Sequence, residues 1–150
     1  KLRDPAHLPL IYALLFGMPG TPALYYGSEW GISGEKAPCS DAGLRPALEK
    51  PEWNALTSWI ARLAAARRGS PALREGSYRN VLLTNLQLIF ERRTETERVL
   101  VAVNADSQPY TAHFDAGCGL AWDLISGQQH DLGGGSQLPP YSAFFWKMER

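Results

Sequence analysis

The sequence lacks the features that would assign it to several common classes of protein. Its 15 basic residues balance 15 acidic residues, so we expect no attraction to nucleic acid or to an anionic membrane surface. It contains no run of about 18 apolar residues, so we expect no membrane-spanning helix. The histidines, His7, His113 and His130, are scattered without metal-ligand spacing. We therefore expect no metal site, and no motif calls for a cofactor.

Cysteine is equally scarce. Cys39 and Cys118 lie far apart, and neither belongs to a C-x-x-C motif, so no pattern supports a disulfide. Two free thiols in a reducing compartment are the simpler interpretation, which favours a cytoplasmic location. The chain begins at Lys1 with no signal peptide after it, and we expect that a preceding segment has been removed.

The first half of the sequence is patterned for helices and one buried strand. The run Leu10 to Phe16 is almost wholly apolar, with Pro9 suited to a first helical turn and Gly17 near its end, which predicts a buried helix. The short apolar segment from Thr21 to Tyr26 is bounded by Gly-Pro punctuation and is typical of a buried parallel strand.

A long loop and a second helix follow. Residues 27–50 are rich in glycine, serine, proline and charge, and irregular loops of that length are usually functional or disordered. Pro51 favours the start of a helix whose apolar face includes Trp53 and which ends at Gly69. Trp59 borders that face, so we expect it to pack at an interface rather than bind a ligand.

The periodicity changes after Pro71, and short strands follow. Alternation at residues 86–91 and the β-branched run at residues 99–103 predict two of them, and three more are expected at residues 110–114, 120–124 and 142–146. Turn-forming segments separate them, which indicates an antiparallel β-sandwich. We therefore divide the chain into residues 1–70 and 71–150. The end of a (β/α)8 barrel followed by a C-terminal sandwich would produce this order: helix, strand, loop and helix, and then only strands. In such barrels the chemistry lies at the C-terminal ends of the strands, which here is near Gly27.

Specific motifs support this division. The segment G-M-P-G-T-P-A-L-Y-Y-G-S-E, at residues 17–29, resembles the eighth-strand motif of the α-amylase family. The segment S-D-A-G-L-R-P, at residues 40–46, resembles the one that follows it in cyclomaltodextrinases, neopullulanases and related α-glucosidases. Residues 59–63 and 70–76 resemble the family's eighth helix and the junction after it, and residues 99–104 and 138–143 resemble its C-terminal domain. These motifs occur in the same order as in the family, and together they span nearly the whole chain.

The resemblance implies a retaining glycosidase that acts on α-glucosidic bonds of maltodextrins, cyclodextrins or related α-glucans. The family takes its catalytic carboxylates from barrel strands four and five, with a further Asp after strand seven, and no position of this chain matches them. We therefore expect the chain to be a C-terminal part of an enzyme, inactive alone, whose partners are an α-glucan oligosaccharide and a missing N-terminal barrel portion. A homodimeric parent remains open. The alternative is a non-catalytic carbohydrate-binding or scaffold module.

Four residues are candidates for substrate binding. The resemblance implies that Asp41 and Arg45 bind the sugar on the non-reducing side of the cleaved bond, where a carboxylate and a guanidinium can form charge-assisted hydrogen bonds. The alternative for this pair is a solvated loop ion pair. Glu29 either shapes the same subsite or pairs with an arginine outside the chain, and Trp30 is a candidate for the cleft wall.

The other aromatic residues favour structural roles. We expect Tyr25 and Tyr26 to pack in the core. Trp122 and Trp146 fall in the β-rich half, where a starch-binding platform would require exposed rings, and the sequence does not favour that role for either.

Overall fold

Three layers make up the fold: helices, a six-stranded sheet and a two-stranded sheet. The computed structural model describes residues 2–44, 47, 48, 50–117 and 119–148. The helices are α1 (Leu8–Gly17), α2 (Ala55–Gly69) and α3 (Pro71–Glu75). The strands are β1 (Ser77–Leu83), β2 (Gln87–Arg93), β3 (Arg98–Asn104), β4 (Tyr110–Ala112), β5 (Leu120–Asp123), β6 (Gln129–Asp131), β7 (Ser136–Leu138) and β8 (Ser142–Met148). No helix in these ranges is long and apolar enough to cross a membrane.

The sheets are antiparallel, as the sequence predicts for residues 71–150. The larger sheet has the order β1-β2-β3-β8-β5-β6, and β4 pairs with β7 in the smaller one. The run Val99–Val103 reads as continuously apolar because β3 lies inside the larger sheet and is buried on both faces. The second sheet is small, so the predicted sandwich is asymmetric.

Each face of the larger sheet carries its own apolar cluster. On one face, α1 and α2 pack through residues such as Phe16 and Leu63 against Val101 and Phe145. On the other face, Leu100 belongs to a cluster that reaches both strands of the small sheet. The helical part and the β-rich part therefore share one hydrophobic core across the expected boundary near residue 70.

Helix α2 begins later than the sequence predicts. Its N-cap is Asn54, whose side-chain oxygen accepts a hydrogen bond from the Thr57 amide at 3.0 Å, while the Thr57 hydroxyl accepts one from the Asn54 amide at 3.4 Å. This reciprocal cap fixes the start at Ala55 because it satisfies two amides that have no intrahelical acceptor in a helix beginning there. Trp53 consequently lies outside the helix and is 74% exposed, so its assignment to the apolar face was wrong. Trp59 packs as expected, and its indole nitrogen donates to the Pro9 carbonyl at 2.9 Å.

The predicted strand from Thr21 to Tyr26 is not formed. A strand needs a neighbour that completes its backbone hydrogen bonds, and no described strand pairs with this segment. Tyr25 and Tyr26 are 55% and 48% exposed, so the expectation that they lie in the core was also wrong for this chain.

Two buried arginines hold the C-terminal end of α1. Arg67 donates to the Phe16 and Met18 carbonyls at 2.7 and 3.0 Å and also to Gly20. Arg92 donates to the Gly17 carbonyl at 2.7 Å. Burial lowers the pKa of both guanidinium groups. Because the last carbonyls of a helix have no intrahelical partner, these arginines satisfy them and fix where the chain leaves α1.

Candidate functional site

The candidate site lies where the loop after residue 27 meets the N-terminal end of α2. Residues Ser28–Trp30 form a short 3-10 helix between Gly27 and Gly31, whose φ angles of 83° and 73° are left-handed. Glycine adopts this conformation at little cost, which lets the chain turn sharply on both sides of Glu29 and Trp30.

Polar side chains of α2 anchor this turn. The Thr57 hydroxyl donates to the Glu29 carbonyl at 3.0 Å, and the Asn54 amide nitrogen donates to the Trp30 carbonyl at 3.1 Å. The Tyr12 hydroxyl, on α1, donates to the Ser28 carbonyl at 2.8 Å. Two helices therefore position Glu29 and Trp30 together, and the residues that cap α2 are the same ones that hold the turn.

The carboxylate of Glu29 is unusual. Its Oε2 atom is buried, and no hydrogen-bond donor reaches it within the described part of the chain. Burying a carboxylate oxygen without a donor is unfavourable by about 1–3 kcal/mol or more. The arrangement therefore suits a hydrogen-bond donor from outside the described chain. Both interpretations of Glu29, a role in the sugar subsite and a pair with an arginine outside the chain, supply such a donor.

Asp41 lies further along the same loop. Its side chain is 52% exposed, and its carboxylate lies 3.5 Å from the Lys36 ammonium group. Its carbonyl accepts from the Leu44 amide at 2.9 Å, which places Asp41 at the start of a second short 3-10 helix, Ala42–Leu44. An exposed ion pair contributes little stability, so Lys36 does not immobilise this carboxylate strongly. Arg45 lies outside the described residues, so its pairing with Asp41 stays a prediction.

Two glycines close the base of the loop that carries Asp41. A Cβ atom on Gly34 would lie 2.3 Å from the Gly43 carbonyl oxygen, and one on Gly43 would lie 2.4 Å from that of Glu35. Ala37 and Ser40 form an isolated antiparallel bridge between these positions. The two backbone segments approach so closely that only glycine fits at both positions. The number of glycines in the loop did not predict this contact.

Exposed apolar groups surround the site. The rings of Tyr25 and Tyr26 lie 4.7 Å apart, and Leu24 and Ile32 are 39% and 42% exposed. A cavity of about 350 Å³ lies between α1 and the loop, with Tyr12 and Ile32 in its wall. Among the residues that the structure describes, no group of three potential metal ligands occurs.

Comparisons with known proteins identify the relatives of the chain. No family model matches it. It is 30% identical over 119 residues to a cyclomaltodextrin glucanotransferase of Bacillus sp. strain 38-2, covering 77% of this chain and 15% of that protein. It is 31% identical over 133 residues to the alpha-amylase MalA of Haloarcula japonica, covering 80% of this chain and 18% of that protein.

A solved structure agrees with these matches. The structure of CldA, a cyclomaltodextrin glucanotransferase with three domains, superimposes with a TM-score of 0.83 and 25% identity, covering 98% of this chain and 33% of that one. The chain is thus related to the α-amylase family, as its motifs indicate. It spans less than a fifth of the length of the two curated relatives.

Proposed function

We propose that the chain is the C-terminal part of a retaining glycoside hydrolase that acts on α-glucosidic bonds of maltodextrins, cyclodextrins or related α-glucans. The observation that carries the proposal is the ordered set of family motifs, matched by relatives named for cyclomaltodextrin and amylase activities over about three quarters of the chain. In this proposal residues 1–70 complete a catalytic barrel and residues 71–150 form the C-terminal domain.

Retaining hydrolysis of a glycoside requires two carboxyl groups about 5 Å apart, one as nucleophile and one as acid. No position of this chain matches the family's catalytic carboxylates, so the proposal places them in polypeptide that precedes it. The chain then contributes substrate contacts and support for the barrel. Alone it would bind sugar weakly and hydrolyse nothing.

The site residues take distinct roles in this proposal. Asp41 and Arg45 grip hydroxyl groups of the sugar on the non-reducing side of the cleaved bond, and the exposure of Asp41 leaves its carboxylate accessible. The buried oxygen of Glu29 accepts a hydrogen bond from an arginine or other donor of the preceding barrel segment, and Trp30 lines the cleft. The exposed tyrosines Tyr25 and Tyr26 pack against neighbouring barrel strands.

The test compares the complete gene product with the 150-residue chain, both purified and assayed for glucose and maltose release from maltotriose and cyclodextrin. We expect the complete product to be active and the chain alone to be inactive. Replacing the two barrel carboxylates of the complete product with amides should abolish its activity. A complete product without hydrolysis or transfer would contradict the proposal and favour a binding or scaffold module, and activity of the chain alone would show that the catalytic groups are misassigned.

A further inference from the structure

A short turn before α1 is joined to the β-rich half of the chain through one carboxylate. The Oδ1 atom of Asp4 accepts from the Ala6 amide at 2.9 Å, and its Oδ2 atom accepts from the Tyr141 hydroxyl at 2.8 Å. The bond from Ala6, followed by the one from Tyr141, lowers the pKa of Asp4, so the carboxylate is charged at neutral pH. Asp4 therefore caps the 3-10 helix Pro5–His7 and also ties it to the segment between β7 and β8.

The backbone of Tyr141 is held in an unusual conformation. Its φ angle is 48°, and no other non-glycine residue in the described part of the chain is left-handed. A residue with a Cβ atom keeps this conformation only where its surroundings fix it. Here the Tyr141 amide donates to the Asp106 carbonyl at 3.0 Å. The buried Asn104 side chain donates to the Leu138 and Pro139 carbonyls at 3.1 and 3.0 Å, so the turn that presents the Tyr141 ring is fastened to the end of β3.

His7 makes a second contact between the same two regions. Its Nε2 atom lies 3.0 Å from the Ala105 carbonyl oxygen. Because a carbonyl oxygen only accepts, His7 carries a proton on Nε2 and donates it to this bond. The His7 ring also lies against the Tyr141 ring, with 5.6 Å between their centroids. The two ends of the turn, Asp4 and His7, are therefore both attached to the β-rich half.

The segment that contains this turn borders the candidate site. Leu2 and Leu8, which flank it, line the cavity of about 350 Å³ together with Tyr12 and Ile32. A Cβ atom on Gly31 would lie 3.9 Å from the Leu8 side chain, so Leu8 also packs against the turn that carries Trp30. Residues 2–8 thus form one wall of the site, and Tyr141 holds that wall from outside.

The proposed function gives this wall a place in the barrel. There α1 is the helix before the segment that resembles the eighth strand, so residues 2–7 belong to the loop that enters a barrel helix. Loops that run from a strand to the next helix lie on the face of a (β/α)8 barrel where the chemistry takes place. A residue of the C-terminal domain that fixes such a loop acts on the geometry of the catalytic face.

We infer that Tyr141 is a positioning residue, which acts through Asp4 to hold residues 2–8 as a wall of the substrate site. This role rests on the proposed function, because the substrate and the reaction are the ones proposed there. Tyr141 itself does not touch the sugar. The bond between its hydroxyl and Asp4 connects the C-terminal domain to the site.

The test measures kcat and KM of the complete gene product on maltotriose. Tyr141→Phe keeps the ring and removes the hydroxyl, and Asp4→Asn keeps one oxygen to cap Ala6 and removes the second acceptor. Each change should lower kcat about tenfold with a smaller effect on KM, because a loosened wall leaves less of the bound substrate in the reactive geometry. The double variant should lose no more than either single variant, since both changes break the same bond.

Tyr78→Phe is the matched control, because the Tyr78 hydroxyl donates to Asn80 within β1 and has no contact with the turn. The control should leave kcat unchanged. Deuterium uptake at residues 2–8 should rise in Tyr141→Phe and in Asp4→Asn but not in Tyr78→Phe. The thermal midpoint of all three should stay close to that of the wild type, because the bond between Asp4 and Tyr141 is only partly buried.

The outcomes separate this inference from the proposed function. If the wild type hydrolyses maltotriose while Tyr141→Phe and Asp4→Asn keep its kcat, the role of Tyr141 is refuted and the proposed function stands. Additive losses in the double variant would also refute it, because the two side chains would then act separately. Losses of kcat that follow a lowered thermal midpoint would make the contact merely structural. A wild type without hydrolysis or transfer would refute the proposed function and this role of Tyr141 together.

Discussion

At the residue scale, Asp41 and Arg45 make the sharpest prediction. In the complete gene product, Asp41→Ala and Arg45→Ala should each lower kcat/KM on maltotriose about tenfold to a hundredfold, because a hydrogen bond from a charged group contributes about 1.5–3 kcal/mol. The thermal midpoint should change little, since Asp41 is half exposed and its ion pair with Lys36 contributes about 0–1 kcal/mol.

Lys36→Ala is the control for Asp41, because it removes the ion-pair partner and leaves the carboxylate. If Lys36→Ala lowers kcat/KM as much as Asp41→Ala does, the role of Asp41 is to hold the loop. Unchanged efficiency in both Asp41→Ala and Arg45→Ala would show that neither side chain binds sugar.

The sequence indicated the loop that carries the candidate residues but not the contacts that hold that loop. The positions of Glu29 and Trp30 after an apolar segment pointed to the loop, and the structure places them on one turn. Their anchors, Thr57 and Asn54, lie more than 20 residues away, and no local pattern links them to that turn. Hydrogen bonds between distant segments depend on the packing of α1 and α2, which periodicity does not encode. The sequence also did not indicate that Trp122 on β5 is 46% exposed, because the exposure of a strand residue depends on what packs over it.

At the scale of elements, Arg92 makes the second prediction. It is buried, and besides Gly17 its guanidinium donates to the Gly76 carbonyl at 2.9 Å and the Ser77 carbonyl at 3.3 Å. Arg92→Met should therefore lower the free energy of unfolding by about 3 kcal/mol, because the buried carbonyls of α1 and of the segment before β1 would lose their donor. Urea denaturation measures the loss.

Arg93→Met is the matched control, because Arg93 is the next residue of β2 and is exposed. It should change the unfolding free energy by no more than about 0.5 kcal/mol. A similar loss in both variants would mean that Arg92 acts through strand propensity rather than through its carbonyl contacts.

Elements with strong local patterns were predicted well, and those that depend on partners were not. The β-branched run of β3 and the apolar run of α1 were placed within a few residues of their observed bounds. Strand β1 was missed because it lies at the sheet edge, and most of its residues are exposed, so its pattern is not strongly apolar. The opposite error occurred at residues 21–26, where a strand was predicted and none is formed. The composition of this segment is that of a buried strand, but no described strand pairs with it.

At the scale of the whole molecule, two buried glutamates connect elements that are separate in the sequence. Glu97 accepts from the Ser70 hydroxyl at 2.6 Å and the Ala72 amide at 2.9 Å, and it also pairs with Lys147. It therefore ties the start of α3 to β8 across the turn before β3. Glu91 joins β1 to β3 in the same way, through Arg79 and Arg98. Neither carboxylate was singled out in the sequence, where both appear as ordinary charged residues near strands.

These contacts predict the response of the fold to acid. Burial by itself raises the pKa of Glu97, but the hydrogen bonds from Lys147, Ser70 and Ala72 outweigh it, so its pKa lies below the ordinary value of 4.5. The pKa of Glu91 is lowered in the same way, since the bonds from Arg98 and Arg79 outweigh burial. A carboxyl group with a lowered pKa in the folded state contributes its full stability above its unfolded pKa and loses it as the pH falls through the folded pKa.

The unfolding free energy should therefore change little from these groups above pH 4.5 and fall steadily below it. Glu97→Gln should lower the free energy of unfolding at pH 7 by about 2 kcal/mol, because the charged hydrogen bonds are lost, and should make the acid-induced loss shallower. Glu95→Gln, which replaces an exposed glutamate of the same turn, should leave both the stability and its pH dependence close to those of the wild type. Urea denaturation from pH 7 to pH 3 measures both quantities. If Glu97→Gln keeps the acid slope of the wild type, the loss of stability arises from other carboxylates, and Glu97 is not the group that holds α3 to the sheet.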